Sequence, residues 1–216
     1  LVTVLGAGGI GKTRLAQAVA RAAIDDHADG AWWVDVATLS SADKIVSAIA
    51  GAALVRLAEG DAQAQLLRAL APRRMLLVLD NCEYLAAEIA RIVGALLAGA
   101  AGVRVLTTSQ EALRATGERL YLLSALAVPP VGVSLATARG FAAVQLLEHR
   151  ARAADPRFAL TEATVGLAIE LCRRLDGVAL AIEMAAARLP LLGVEGLHRR
   201  LGDRLDLLRA SSREGP

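Results

Sequence analysis

Apolar residues recur along this 216-residue chain in two rhythms. Short apolar runs such as Met75–Leu79 alternate with longer stretches in which apolar positions fall three or four residues apart. The first rhythm predicts strands buried on both faces; the second predicts helices with one apolar side. Strands are expected at Leu1–Leu5, Trp32–Val36, Met75–Leu79, Val103–Leu106 and Leu120–Leu123. Helices are expected at Lys12–Ile24, Ser41–Leu54, Asp61–Leu70 and Leu85–Leu97. Such an alternation calls for a parallel sheet covered by helices. After Pro129-Pro130 the strands stop. Thr137–Ala154 reads as one helix, and Thr161 as the cap of the next, where Val165, Ala168, Ile169, Cys172 and Leu175 share a face. Gly177 breaks that helix, a further stripe runs to about Leu189, Pro190 and Gly193 interrupt, and Leu197–Leu208 is a final helical stretch. The expected organisation is an α/β domain over 1–128 and a small all-helical unit over 137–210.

Between the first strand and the first helix lies Gly6-Ala-Gly-Gly-Ile-Gly11-Lys12-Thr13, which fits G-x-x-x-x-G-K-[ST] in the strand–helix context that makes it a phosphate-binding loop. Gly6, Gly8, Gly9 and Gly11 let the backbone turn its N–H groups inward onto phosphate oxygens. The helix beginning at Lys12 adds its positive N-terminal end. Lys12 is expected to reach the outer phosphates, Thr13 to ligate Mg²⁺, and the adjoining Arg14 to contact the nucleotide. Lysine occurs only at 12 and 44 in a chain rich in arginine, so Lys12 points to a need for a compact ammonium.

The second half of such a site is an acid at the end of a buried strand, and Met75-Leu-Leu-Val-Leu79-Asp80 supplies it as a Mg²⁺-holding group. The strand count predicts that Val103–Leu106 inserts between the loop strand and the acid strand. Thr107 or Thr108 at its tip could then reach the terminal phosphate; ordinary strand-end hydroxyls are the equal alternative. Asn81 cannot act as a base. Glu83 is the nearest carboxylate able to orient water for hydrolysis, with an exposed helix-start glutamate as the equal alternative. Lys12, Asp80 and Glu83 are therefore the candidate catalytic set. The fold class expected is α/β: a P-loop NTPase with a five-stranded, mainly parallel sheet, followed by a helical lid.

Composition narrows the partners. The net charge of +2 gives no basic stripe for nucleic acid. Cys82 and Cys172 suggest neither a disulfide framework nor a metal site, which favours a reducing cytoplasm, and His27, His149 and His198 stand in no ligand spacing. The uncharged run from Leu120 to Ala138 is interrupted by Pro129-Pro130 and Gly132, so a strand and linker are expected there rather than a membrane span. The chain opens in a strand without Met and closes in a polar tail from Arg209 to Pro216, which reads as a piece of a longer protein.

Four segments in order, 2–16, 76–85, 103–126 and 171–189, resemble the ATPase module of the STAND class. The nearest likeness is to the bacterial branch found in SARP- and LuxR-type transcriptional regulators, related to NB-ARC domains. The resemblance implies ATP or ADP with Mg²⁺ held between the α/β domain and the helical lid, and slow hydrolysis that resets a regulatory switch. It places Gly177 and Ala179 beside the nucleotide. It also implies partner domains in the same parent chain (winged helix, sensor repeats, a DNA-binding domain), ATP-dependent self-association, and no direct nucleic-acid or membrane contact by this part. The chain departs from the pattern twice. Gln110 stands where an arginine is expected, and Ala179 where a proline is expected. A stand-alone P-loop ATPase or small-molecule kinase, and a degenerate scaffold that holds ADP, are the competing readings.

Overall fold

The computed structural model describes the backbone of residues 1–211 and the side chains of residues 1–200. Two compact units follow each other, Leu1–Leu123 and Ser124–Pro216.

The first unit is built on five parallel strands: β1 (Val2–Leu5), β2 (Ala31–Asp35), β3 (Leu76–Asp80), β4 (Arg104–Ser109) and β5 (Arg119–Leu122). Their order is β2-β3-β4-β1-β5. The expected insertion is present: β4 lies between the loop strand β1 and the acid strand β3. Strand composition follows position. Leu76–Asp80 is buried at every residue, as its unbroken apolar run requires, whereas β5 at the edge is exposed throughout. Helices α1 (Lys12–Ala22), α2 (Ala42–Ala52), α3 (Ala62–Leu70) and α4 (Ala86–Gly99) complete the unit. Asp61 caps α3 by accepting the Ala64 N–H at 3.0 Å. Ile45, Ile49, Leu66, Leu70, Ile89, Ile92 and Leu96 from α2 to α4 pack with Leu77, Leu79 and Val105 in one fully apolar cluster. A smaller cluster holds Ala16 of α1 with Val4, Val78 and Leu106.

Because the sheet is parallel, every strand ends on one edge. Leu5, Asp35, Asp80 and Ser109 all terminate there, with Asp35 paired to Asp80 and Leu5 to Ser109. Ligands of open parallel sheets bind at this edge.

The second unit is helical: α5 (Leu135–Ala138), α6 (Ala142–Ala154), α7 (Val165–Arg174), α8 (Ala179–Ala186) and α9 (Leu189–Ser211). Two expectations are corrected and a third holds in part. Thr137–Ala154 is two helices, because the chain leaves the first at Gly140 and Phe141 takes an extended conformation before the second. Thr161 does not cap α7 through its side chain; Thr164 precedes that helix, and the Thr161 carbonyl accepts the Val165 N–H at 2.9 Å. The interruption expected at Gly193 is present as a break in helical geometry (φ 65°, ψ 173°) within α9, which also takes in the expected Leu197–Leu208 stretch, whereas Pro190 sits in the first turn of that helix and does not break it. Ala143, Leu147, Ala168, Ile169, Cys172 and Ile182 form the core of this unit.

Residues between β5 and α5 form the irregular connection expected from Pro129-Pro130. Among the described residues, no helix is long and apolar enough to cross a membrane.

Candidate functional site

The site is built on the strand ends. After β1 the chain turns through Gly6–Gly11 into α1, with Gly9 at φ 72° and Gly11 at φ 113°, conformations that side chains disfavour. Gly6 has a different role: its N–H donates to the Ser109 carbonyl at 3.3 Å, and a Cβ there would stand 2.9 Å from the Leu123 carbonyl oxygen. Among the described residues, no backbone acceptor takes the N–H groups of Gly8, Gly9 or Gly11. Gly8 is exposed and Gly9 and Gly11 are partly so, so these N–H groups are open to an incoming anion in exchange for water.

Lys12 opens α1 and is only 7% exposed. Its Nζ donates to the carbonyls of Gly6 at 2.9 Å and Ala7 at 3.1 Å, so the ammonium lies folded over its own loop. Thr13, one residue on, donates from Oγ1 to Asp80 Oδ1 at 3.0 Å, joining the loop to the end of β3. Thr108 at the tip of β4 donates to the same Asp80 oxygen and accepts the Asn81 N–H at 3.0 Å. Thr13, Asp80 and Thr108, up to 95 positions apart in sequence, thus meet at one point. Thr107 points elsewhere. Its hydroxyl lies 2.7 Å from Thr3, and Thr3 donates to Glu118 at 2.5 Å, a buried link between β1, β4 and the turn before β5. Of the two alternatives left open by the sequence, only Thr108 joins the Asp80 cluster.

These residues fit a divalent cation. Mg²⁺ prefers oxygen ligands and is typically bound by one or two carboxylates together with phosphates. Thr13 and Asp80 present adjacent hard oxygens beside a loop of unclaimed N–H groups. Among the described residues, no cluster of three or more His, Cys, Asp or Glu side chains stands where it could hold a metal.

Two features were not legible in the sequence. Asn81 adopts φ 62°, a left-handed conformation that asparagine tolerates, and its Nδ2 reaches Asp35 Oδ1 at 3.0 Å and Asp80 Oδ2 at 3.4 Å. It orients the acid loop rather than doing chemistry. Gln110 Nε2 donates to Glu83 Oε1 at 3.1 Å, while Glu83 Oε2 is shielded from solvent and has no hydrogen-bond partner. Cys82 beside them is fully buried and donates to the Leu79 carbonyl. Burial, then the charges of Glu83 and Asp80, push its thiol well above the usual range, which excludes a reactive thiolate.

Arg14 is exposed on α1. Gly177 and Ala179 belong to the second unit. Asp176 (φ 51°) and Gly177 (φ 66°) end α7 in a Schellman turn, with Gly177 N–H donating to the Cys172 carbonyl and Asp176 N–H to the Arg173 carbonyl. A Cβ on Gly177 would stand 2.2 Å from the Leu126 carbonyl oxygen, so glycine is required there by close backbone packing. Ala179 is the first residue of α8.

The chain is similar to known proteins in sequence and in fold. The uncharacterized protein Rv0894 of Mycobacterium tuberculosis is 34% identical over 213 residues, covering 98% of this chain and 51% of the relative. Rv0890c of the same organism, whose name marks it as a candidate HTH-type transcriptional regulator, is 35% identical over 189 residues, covering 87% of this chain and 20% of the relative. The chain thus spans about half the length of the first of these relatives and a fifth of the second. Among solved structures, a chain of the Drosophila ORC bound to DNA superposes with a TM-score of 0.65 at 14% identity, covering 96% of this chain and 61% of that one. Cdc6p from Pyrobaculum aerophilum gives 0.58 at 14% identity, with coverages of 92% and 56%. The ORC2 protein of Aeropyrum pernix, solved in complexes with ADPNP and ADP, gives 0.57 at 18% identity, with coverages of 93% and 60%. At these identities the structural likeness establishes the P-loop ATPase fold alone. The profile of the NB-ARC domain matches residues 1–116, from the phosphate-loop strand past the end of β4. On a match over more than half its length, the chain belongs to the NB-ARC family.

Proposed function

We propose that the chain is an adenine-nucleotide-binding switch module of a larger signalling protein. The observation that carries this reading is the convergence of Thr13, Asp80 and Thr108 beside a phosphate loop whose N–H groups are unclaimed. Gly6, Gly8, Gly9 and Gly11 shape the cradle, and Lys12 turns from its carbonyl partners to the outer phosphates. Thr13 and Asp80 hold Mg²⁺, which neutralises phosphate charge. Thr108 stands at the terminal-phosphate end, Arg14 lies along the same helix start, and Glu83 orients water. Gly177 and Ala179 contact the nucleotide from the helical unit. ATP and ADP then bias two arrangements of the two units, with slow hydrolysis as the reset.

The parent is a cytoplasmic transcriptional regulator in which winged-helix, sensor and DNA-binding domains receive the signal. The likeness to Rv0890c supports this. ATP promotes self-association, and this part touches neither nucleic acid nor membrane directly.

An ADP-holding scaffold is the second reading. The neutral Gln110 favours it, since an amide brings no charge to the phosphates. The kinase reading has less support: Arg173 and Arg174, offered as acceptor-binding groups, are exposed at the end of α7.

Calorimetric titration with ATP and ADP, followed by a turnover assay, tests these readings. The switch reading expects binding of both nucleotides, slow turnover, and a loss in Lys12→Ala of about 10- to 100-fold in affinity, the worth of its charged hydrogen bonds. Binding of ADP alone selects the scaffold. Undiminished affinity in Lys12→Ala overturns the site assignment, and fast transfer to a small acceptor overturns the switch.

A further inference from the structure

Two carboxylates, Asp80 at the end of β3 and Glu83 just after it, are held differently. Asp80 is 3% exposed and its oxygens accept from Thr13, Thr108 and Asn81. Among the described residues, Glu83 has one hydrogen-bond partner, the Gln110 amide, on Oε1, and its Oε2 is buried without any. A shielded carboxylate oxygen without a donor is costly and calls for an explanation. Gln110 Nε2 also lies 3.9 Å from where a Cβ on Gly8 would stand, so this amide lies beside the phosphate loop while bonded to the acid turn. Gln110 itself is exposed, and an exposed neutral hydrogen bond contributes little to folding.

We propose that Gln110 is a positioning residue: its side-chain amide holds the Glu83 carboxylate at the mouth of the phosphate loop, where Glu83 takes a water as its missing donor. This deepens the nucleotide-switch reading and rests on it. An arginine at 110, 3.1 Å from Glu83, would pair with the carboxylate and neutralise it; glutamine orients it without doing so. In hydrolysis the water oxygen bonds to the terminal phosphorus, ADP departs with the electron pair of the broken P–O bond, and the water proton passes to Glu83. A fixed carboxylate charge beside the loop also opposes a third phosphate more than a second one. Gln110 thereby lowers the preference for ATP over ADP while supporting turnover.

The test measures ATP and ADP affinities of the wild-type chain, Gln110→Ala, Glu83→Gln and the double variant, with melting curves to confirm folding. Glu83→Gln raises the ATP-over-ADP affinity ratio about fivefold by removing the charge. Gln110→Ala raises the ratio in the same direction by letting Glu83 swing away, and slows any measurable turnover by about 10- to 100-fold. In the Glu83→Gln background, Gln110→Ala changes the ratio no further. The affinity ratio decides the matter whether or not turnover is measurable. A purely structural Gln110 weakens ATP and ADP alike, and that result overturns the proposal. So does an unchanged ratio, or an equal shift with and without Glu83. A wild-type chain that binds neither nucleotide overturns the functional reading and this inference with it; normal binding with an insensitive ratio overturns this inference alone.

Discussion

The two units bury polarity for opposite ends. In the first, Thr3, Lys12, Asp80, Thr107, Thr108 and Ser109 are buried, and Lys12, Asp80 and Thr108 gather at the sheet edge beside a loop with unclaimed donors. In the second, among the described residues, the buried charged residue is Glu148, and its hydrogen bonds close on themselves. Arg139 grips it with two bonds of 2.9 and 2.7 Å, and Arg152 adds a third at 2.7 Å. A buried polar group whose partners all lie within its own unit fastens that unit together. A cluster that leaves donors and acceptors open makes a binding site.

Several substitutions break or sharpen that contrast. The largest effect on the helical unit is expected from Gly177→Ala, whose Cβ would meet the Leu126 carbonyl oxygen at 2.2 Å in a left-handed backbone. The overlap and the backbone conformation together cost about 3 kcal/mol, read as a lower midpoint for the helical unit in denaturant. Lys12→Ala is expected to act on the other side of the contrast: a loss in nucleotide affinity of about 2 kcal/mol with little change in melting temperature. If it instead unfolds the chain, Lys12 is structural and the distinction between the units fails.

Glu148→Gln comes next and loses charge-assisted bonds worth about 2 kcal/mol in the helical unit, with nucleotide affinity unaffected. The pH dependence has a definite sign. The Arg139 hydrogen bond holds the Glu148 carboxyl below its usual range, against the opposing effect of burial. Its stabilising contribution is complete above the titration of an unfolded carboxyl near pH ~4.3 and is lost as pH falls through the lowered folded value. Acid titration followed by circular dichroism should show this loss in the wild type and not in Glu148→Gln. The smallest effect is expected for Thr107→Val, which removes one buried hydroxyl pair and costs about 1 kcal/mol, because Thr3 keeps Glu118 as an acceptor.

The same contrast explains what could be read from the chain in advance. Strand positions, the phosphate loop and Asp80 announce themselves locally, because a buried parallel strand is an apolar run and the loop is a fixed spacing of glycines before Lys12. Even the place of β4 followed from counting strands. The choice of Thr108 over Thr107 did not, since it depends on which face of β4 each hydroxyl takes. The Gln110–Glu83 contact joins residues 27 positions apart and leaves no periodic trace. The break at Gly140 was missed because Ala-rich sequence on both sides continues the helical rhythm across it. The close approach of Gly177 to Leu126 was hidden for the same reason as Gln110: it is a tertiary contact.

The central claim is that the edge of the sheet holds a nucleotide with its cation through Thr13 and Asp80. Titrating ATP into the wild-type chain and into Asp80→Asn, each with and without Mg²⁺, tests it most directly. Mg²⁺ is expected to strengthen ATP binding to the wild type about tenfold or more, and to leave Asp80→Asn with no such gain. Binding that ignores Mg²⁺ in the wild type, or a gain that survives intact in Asp80→Asn, contradicts it.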